Sequence, residues 1–179
     1  MRQVVLLRGV NVGAHNRIPM PSLRELLTEA GFADVRTYVQ SGNIVLSSDA
    51  TPAGLAQECE RLIAKGFGLD IDVLARTRDE LAAVVRNNPL GQVAVNPKRY
   101  QVSFCSAEPA PELIQRLDSL AAPPEQFVAV GRELYAWHPD GIARSKLWNE
   151  LARGRLGVAA TARNWNTVTH LLAMADDQL

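Results

Sequence analysis

The sequence predicts an α+β protein in which two lobes repeat one order of elements, β-α-β-β-α-β. Short β-rich runs alternate with longer stretches whose apolar residues have helical spacing, and this order occurs twice. In each half a compact turn joins the two middle strands, at residues 41–43 (Ser-Gly-Asn) and 131–132 (Gly-Arg). The order is the ferredoxin-like pattern, with helices packed on one face of an antiparallel sheet. The predicted lobes are 1–76 and 98–179, with a linking helix and loop at 77–97.

The first lobe begins with a short run of Val and Leu at residues 3–8, which predicts a buried strand. Ser22 followed by Glu25 is a capping signature that predicts the start of the first helix, and Gly31 predicts its end. The remaining predicted elements of this lobe are strands at 35–40 and 44–48, a helix that Thr51 caps and Pro52 begins, and a strand at 71–75.

Thr77 and Glu80 form a second capping box, which predicts a linking helix that residues 87–89 (Asn-Asn-Pro) end. The mixed Gly, Asn and Pro content of 90–98 predicts the boundary between the lobes. The predicted elements of the second lobe are a strand around 100–104, a helix around 113–120, a hairpin of 126–130 and 133–137, a helix capped by Ser145, a strand at 158–161 and a final helix from Asn166.

Composition, charge and cysteine content limit the classes of protein to which this chain can belong. The 179 residues are 47% apolar, which is enough for an ordinary core, and 19 basic residues balance 19 acidic ones. The chain therefore has no overall charge that attracts nucleic acid or a membrane. It begins without a leader or spanning segment, so we expect a cytoplasmic protein that does not bind membranes. Cys59 and Cys105 are far apart and no paired histidine motif occurs, so we expect neither a metal nor a cofactor.

The polar loop at 8–19 is the first candidate site. Strand-to-helix loops usually have two to six residues, and longer polar ones often bind or catalyse. Arg8, Asn11 and Asn16 are candidate ligand-binding residues. His15 is the candidate catalytic residue, because histidine can act as a general acid or base near neutral pH. An exposed loop histidine without a role is the alternative.

Three more polar clusters lie at 40–43, 141–146 and 161–167. The last two clusters run into predicted helix N-termini, where unpaired N–H groups and the helix dipole favour anions. Residues 141–167, which include both clusters, contain five basic residues and one acidic residue, and this surplus also favours an anionic partner. The full set of predicted ligand-binding residues is Arg8, Asn11, Asn16, Ser41, Asn43, Arg144, Ser145, Lys146, Arg163, Asn164, Trp165 and Asn166.

Structural roles compete with these assignments. Ser145 and Asn166 can simply cap helices, and arginine side chains can be solvated. Trp165 can stack a base, but anchoring the loop to the core is the more common role. Ser41 and Ser145 are conceivable nucleophiles, although turn and cap roles explain both and neither lies in a Gly-x-Ser-x-Gly motif.

Four motifs in order resemble the DUF1697 family of bacterial proteins. They are 7–13 (Leu-Arg-Gly-Val-Asn-Val-Gly), 37–43 (Thr-Tyr-Val-Gln-Ser-Gly-Asn), 144–147 (Arg-Ser-Lys-Leu) and 163–168 (Arg-Asn-Trp-Asn-Thr-Val). Ala14 stands where the family pattern often has a second glycine. The resemblance implies an α+β fold, and the family has no established activity to carry over.

The leading hypothesis is that the protein binds a small anionic ligand, such as a phosphorylated molecule, in a polar cleft between the lobes. One alternative is an enzyme that uses the same cleft with His15 as general acid or base. Another is a module that binds RNA or single-stranded nucleic acid, which is not favoured because the strands lack the aromatic pattern of RNA-recognition domains. The sequence makes no prediction about oligomeric state.

Overall fold

A computed structural model describes residues 1–177 of the chain. The strands and helices, in chain order, are β1 (Arg2–Leu7), α1 (Met20–Glu29), β2 (Ala33–Tyr38), β3 (Asn43–Ser47), α2 (Pro52–Phe67), β4 (Val73–Thr77), α3 (Arg78–Asn87), β5 (Tyr100–Cys105), α4 (Pro111–Leu120), β6 (Gln126–Val130), β7 (Glu133–Trp137), α5 (Lys146–Arg153), β8 (Ala160–Asn164) and α6 (Trp165–Ala175). A short 3₁₀ helix, Pro97–Arg99, precedes β5.

Two four-stranded sheets have the same topology, with orders β2-β3-β1-β4 and β6-β7-β5-β8. Every pair of neighbouring strands is antiparallel. In the first sheet Val5 lies opposite Ile44 on one side and Ala75 on the other. In the second, Val102 lies opposite Tyr135 and Arg163. The predicted α+β fold with two ferredoxin-like repeats is therefore confirmed.

Contacts divide the chain into two compact units. Unit 1 contains residues 1–83 and the described residues from His170 to 177, and unit 2 contains residues 84–169. The end of α6 joins unit 1 because the His170 ring stacks on Tyr38 with ring centroids 3.8 Å apart, and Arg36 donates to the Met174 carbonyl oxygen at 2.6 Å. The sequence instead assigned the whole of 98–179 to the second lobe, and its boundaries at 76 and 98 stay predictions.

The core of unit 1 lies between its sheet and helices α1 and α2. The Thr51 hydroxyl accepts from the Gly54 N–H at 3.1 Å, Pro52 begins α2, and Gly68 ends it in the left-handed conformation. One face of α2 is buried, and its buried residues are Leu55, Cys59, Leu62 and Ile63. These local signals were all readable in the sequence, and the capping prediction for α2 is confirmed.

The core of unit 2 lies between its sheet and helices α4 and α5. Leu117 of α4 and Leu147 of α5 are fully buried in it, together with Leu134 and Ala136 of β7. The Ser145 hydroxyl accepts from the Trp148 N–H at 3.0 Å and caps α5. Within residues 1–177, no helix has both the length and the apolar character needed to cross a membrane.

The predicted start of α1 is wrong. The helix begins at Met20 with Pro19 as its N-cap residue, and neither Ser22 nor Glu25 provides a capping hydrogen bond. Pro19 is extended, with φ of −64° and ψ of 130°, and Pro21 fixes a helical φ in the first turn. The two prolines therefore set the start of the helix before the capping signature is reached.

The predicted end of the second lobe is also displaced. Strand β8 covers Ala160–Asn164 instead of 158–161, because Arg163 and Asn164 continue the ladder opposite Val102 and Gln101. Helix α6 then begins at Trp165. The Asn164 side-chain oxygen accepts from the Thr167 N–H at 3.0 Å, so the cap is Asn164 and not Asn166.

Candidate functional site

The connection between β1 and α1 is much longer than its counterpart in unit 2. Both begin with the same backbone pairing, Leu7 N–H to Gly42 oxygen in unit 1 and Cys105 N–H to Arg132 oxygen in unit 2, each at 2.9 Å. Unit 2 then reaches its helix through residues 106–110, whereas unit 1 uses residues 8–19, here called the opening loop. Five residues are thus enough for this connection, and the extra length in unit 1 needs another explanation.

Asn11 holds the opening loop in place. Its side-chain N–H group donates to the Ile18 carbonyl oxygen at 2.8 Å and to the Gln40 carbonyl oxygen at 2.6 Å, and its side-chain oxygen accepts from the Ile18 N–H at 2.9 Å. The residue has a left-handed φ of 55°, which asparagine tolerates better than most residues. Asn11 therefore closes the loop on itself and ties it to the turn between β2 and β3.

The tip of the opening loop is a small hairpin. The Asn11 N–H donates to the Asn16 carbonyl oxygen at 3.0 Å, and Val12 pairs with His15 in antiparallel fashion. Gly13 has a positive φ of 62° in the turn, whereas Ala14 is not among the positive-φ residues. An alanine at position 14 is therefore compatible with this turn. His15 is exposed to solvent.

The turn that follows β2, here called the 39–42 turn, is strained and tightly packed. Val39 has a left-handed φ of 49° although it is β-branched, and 52% of the residue is exposed. Such a conformation costs on the order of 1–3 kcal/mol and is concentrated at functional sites. Buried Asn43 donates to the Tyr38 carbonyl oxygen at 3.2 Å and to the Ser41 hydroxyl at 2.9 Å. Ser41 and Asn43 thus shape the turn.

The opening loop carries two arginines and a histidine. Arg8 is half-buried, and its nearest acid is the Asp72 carboxylate at 3.7 Å, which is longer than a hydrogen bond. Arg17 and His15 are exposed. We call the opening loop and the 39–42 turn together the opening-loop surface. It contains four of the predicted ligand-binding residues and the predicted catalytic one: Arg8, Asn11, Asn16, Ser41 and His15. Asn43, the first residue of β3, is buried behind the turn and supports it.

The predicted residues at the end of β8 have internal partners. Arg163 is only 8% exposed and donates to the Thr161 hydroxyl at 2.8 Å and the Ala162 carbonyl oxygen at 2.9 Å. Burial lowers the pKa of its guanidinium to about 10. Trp165 stacks on Tyr100 with ring centroids 4.9 Å apart, which is the anchoring role. Asn166 is exposed at the start of α6.

Unit 2 contains a polar cluster that sequence reasoning missed in part. The Ser145 hydroxyl donates to Glu125 Oε2 at 2.6 Å, and His138 Nδ1 lies 2.5 Å from the same oxygen. Ser145 and His138 are buried, and 10% of the Glu125 side chain is exposed. Ser145 was singled out from the sequence, but Glu125 and His138 were not. The available signal was a histidine directly before the Pro-Asp-Gly turn at 139–141.

A cavity of about 450 Å³ lies beside this cluster. Its polar lining includes Glu125, Asp140, Arg144 and Ser145. Two predicted residues, Arg144 and Ser145, therefore share one cavity, while Lys146 is exposed as the first residue of α5. That the residues of the two units form one cleft stays a prediction.

The acidic, cysteine and histidine side chains do not form a metal centre in the part of the chain that is described. Among residues 1–177, no three or more of them are grouped so that they could hold an ion. Cys59 and Cys105 are buried free thiols.

Comparison with known proteins gives a family and a fold. The family described as "Protein of unknown function (DUF1697)" matches residues 1–135. Among solved structures, conserved bacterial protein SP0830 from Streptococcus pneumoniae shares the fold, with a TM-score of 0.78, 23% sequence identity, and coverage of 97% of this chain and 98% of that chain. No curated protein matches the sequence. As predicted from the motifs at 7–13 and 37–43, which lie within the matched residues, the chain belongs to the DUF1697 family of proteins of unknown function.

Proposed function

We propose that the protein binds a small anionic ligand, such as a phosphorylated molecule, at the opening-loop surface of unit 1. The observation that carries this proposal is the long connection at residues 8–19, where unit 2 needs only 106–110. A polar loop of this length that is folded on itself, tied to a neighbouring turn and exposed at its tip is typical of a binding loop.

Charge favours an anion as the ligand. Arg8 approaches Asp72 only to 3.7 Å, so its guanidinium keeps donors for a further acceptor. The planar guanidinium matches phosphate and carboxylate oxygens with two parallel hydrogen bonds. Exposed Arg17 adds a second cation on the same loop. The opening loop therefore offers two arginines to an anion, and the contact of Arg8 with Asp72 leaves its guanidinium donors available.

Preorganisation also supports binding. Asn11 makes three hydrogen bonds that hold the loop to Ile18 and Gln40, so the loop does not have to be ordered when a ligand arrives. The strained Val39 lies next to Gln40, one of these partners. Stored strain beside a rigid exposed loop is a feature of ligand sites.

Calorimetric titration of the full chain with inorganic phosphate tests the proposal. Arg8→Gln should weaken phosphate binding about ten- to a hundredfold, because a charge-assisted contact is worth about 1.5–3 kcal/mol. Arg61→Gln is the matched control, since Arg61 lies on α2 and pairs with Glu58 at 2.6 Å. Equal affinity of the wild type and Arg8→Gln would refute the assignment of the ligand to this surface.

A further inference from the structure

We propose that unit 2 contains a separate hydrolytic site for small carboxylic esters, with Ser145 as nucleophile, Glu125 as its base and His138 as a positioning residue. The proposal does not depend on anion binding by unit 1. It rests on the cluster formed by these three side chains and on the cavity that Ser145 and Glu125 line.

The geometry of the cluster fits an activated nucleophile. The Ser145 hydroxyl donates to Glu125 Oε2 at 2.6 Å, within the range of a short hydrogen bond to a carboxylate. His138 Nδ1 contacts the same oxygen at 2.5 Å and lies 3.4 Å from Ser145 Oγ. A nucleophile within reach of a base, which a third group orients, is the arrangement of covalent catalysis. Here the carboxylate, and not the imidazole, is next to the serine.

The helix-capping role of Ser145 does not explain this carboxylate. A cap requires only that the hydroxyl accept a backbone N–H, as Ser145 does from Trp148 at 3.0 Å. In unit 1 the equivalent helix is capped by exposed Thr51, whose hydroxyl accepts from the Gly54 N–H and contacts no carboxylate within residues 1–177. The Glu125 carboxylate accepts from Ser145 and from the Ala122 N–H at 3.3 Å, and it contacts His138. Because Thr51 caps its helix without such a carboxylate, the cap alone does not require one.

The hydroxyl of Ser145 retains the capacity to react. It donates one hydrogen bond to Glu125 and accepts one from Trp148, and a hydroxyl oxygen has a second lone pair. The adjoining cavity of about 450 Å³ is within the usual range for small-molecule sites. The N–H groups of Lys146 and Leu147, the first two residues of α5, have no partner inside the helix, and we assign them to the developing oxyanion.

His138 is fixed by two contacts. Its Nδ1 contacts Glu125, and its ring meets Trp148 edge-on with centroids 5.8 Å apart. Its Nε2 is buried and has no hydrogen-bond partner in the described part of the chain. Within residues 1–177, the polar contacts of the buried ring are therefore those of Nδ1 with Glu125 and Ser145, which suits a residue that orients the base.

The reaction balances with water as the second reactant. Ser145 Oγ bonds to the ester carbonyl carbon while its proton passes to Glu125 Oε2; the bond to the alcohol oxygen then breaks and the alcohol leaves with that proton. Water next adds to the acyl carbon and gives a proton to Glu125. The bond to Ser145 breaks, Ser145 Oγ takes the proton back, and the carboxylic acid leaves.

Two measurements on the full chain test the proposal: hydrolysis of p-nitrophenyl acetate and labelling by a fluorophosphonate, located by mass spectrometry. We expect one label per chain, on Ser145. Ser145→Asn keeps an N-cap side chain but has no nucleophile, and it should lose the label and hydrolyse the ester on the order of 10²–10⁴-fold more slowly. Ser119→Ala is the control, since exposed Ser119 donates only to the Arg116 carbonyl oxygen, and it should change neither result.

Variants of the other two residues separate catalysis from structure. Glu125→Gln should slow hydrolysis by a similar factor, because an amide cannot accept the proton. His138→Asn retains a donor for Glu125, whereas His138→Phe does not. We therefore expect His138→Asn to hydrolyse the ester much faster than His138→Phe. Absence of label on wild-type Ser145, or hydrolysis by Ser145→Asn at the wild-type rate, would overturn the proposal. Labelling of wild-type Ser145 tests the proposal even if a variant fails to fold.

Discussion

Replacing Gly42 with alanine is expected to destabilise the protein strongly, because the 39–42 turn touches the core. Gly42 has a φ of 81°, and a Cβ there would lie 2.6 Å from Leu7 Cβ and 2.8 Å from Val10 Cγ2. Both neighbours are buried and cannot move freely. A left-handed alanine costs about 1–2 kcal/mol and overpacking about 1–3 kcal/mol, so we expect a loss of about 2–5 kcal/mol.

The turn of unit 2 provides a matched control. Gly131 also has a positive φ, 59°, but a Cβ there would meet no atom within 4 Å. Gly131→Ala should therefore cost only the backbone part, about 1–2 kcal/mol. Urea denaturation followed by circular dichroism measures both variants. If Gly42→Ala and Gly131→Ala lose the same stability, the close contact of the 39–42 turn with Leu7 and Val10 is not what makes glycine necessary.

Three further predictions concern the candidate catalytic histidine, a buried thiol and a buried cation. Once a substrate of the opening-loop surface is found, His15→Ala should reduce kcat on the order of 10²–10⁴-fold if that surface is catalytic; unchanged turnover would remove His15 from the mechanism. Burial raises the pKa of the Cys59 thiol from 9.0 to about 12, so its contribution to stability is complete below pH 9 and is lost as pH rises toward 12, by about 1.4 kcal/mol per pH unit. Between pH 8 and pH 11 the urea midpoint should therefore fall more in the wild type than in Cys59→Ala. An equal fall in the two proteins would contradict this. Arg163→Ala should lower the free energy of unfolding by about 1–3 kcal/mol, because it leaves buried acceptors unpaired, and should leave phosphate affinity at the opening-loop surface unchanged.

Elements whose signals are local could be predicted from the sequence. Thr51 followed by Pro52 needs no distant partner to start α2. The capping box of Thr77 and Glu80 is equally local: the Glu80 carboxylate accepts from the Thr77 N–H at 2.8 Å and the Thr77 hydroxyl from the Glu80 N–H at 3.1 Å. The same rule failed at Ser22, where flanking prolines set the helix start.

The roles of polar residues were harder to predict, because they depend on distant partners. The sequence around Arg163 predicts a polar loop, but pairing with β5 places this residue in strand β8 and buries it. Asn11 is one of the predicted binding residues, yet its side chain is occupied by Gln40, 29 residues away. Glu125 and His138 meet Ser145 only after the hairpin and α5 have packed. A sequence pattern identifies polar clusters, but only the fold separates those that support the backbone from those that face a ligand.

Localising phosphate by two-dimensional amide NMR tests the central claim most directly. On titration of the full chain with inorganic phosphate, we expect amide shifts that saturate and are concentrated in the opening loop, 8–19, and the 39–42 turn. The matching connection at 106–110 should not shift, and Arg8→Gln should abolish or greatly weaken the changes in the opening loop. An absence of saturable shifts in 8–19, or shifts centred instead on 138–146, would contradict the account.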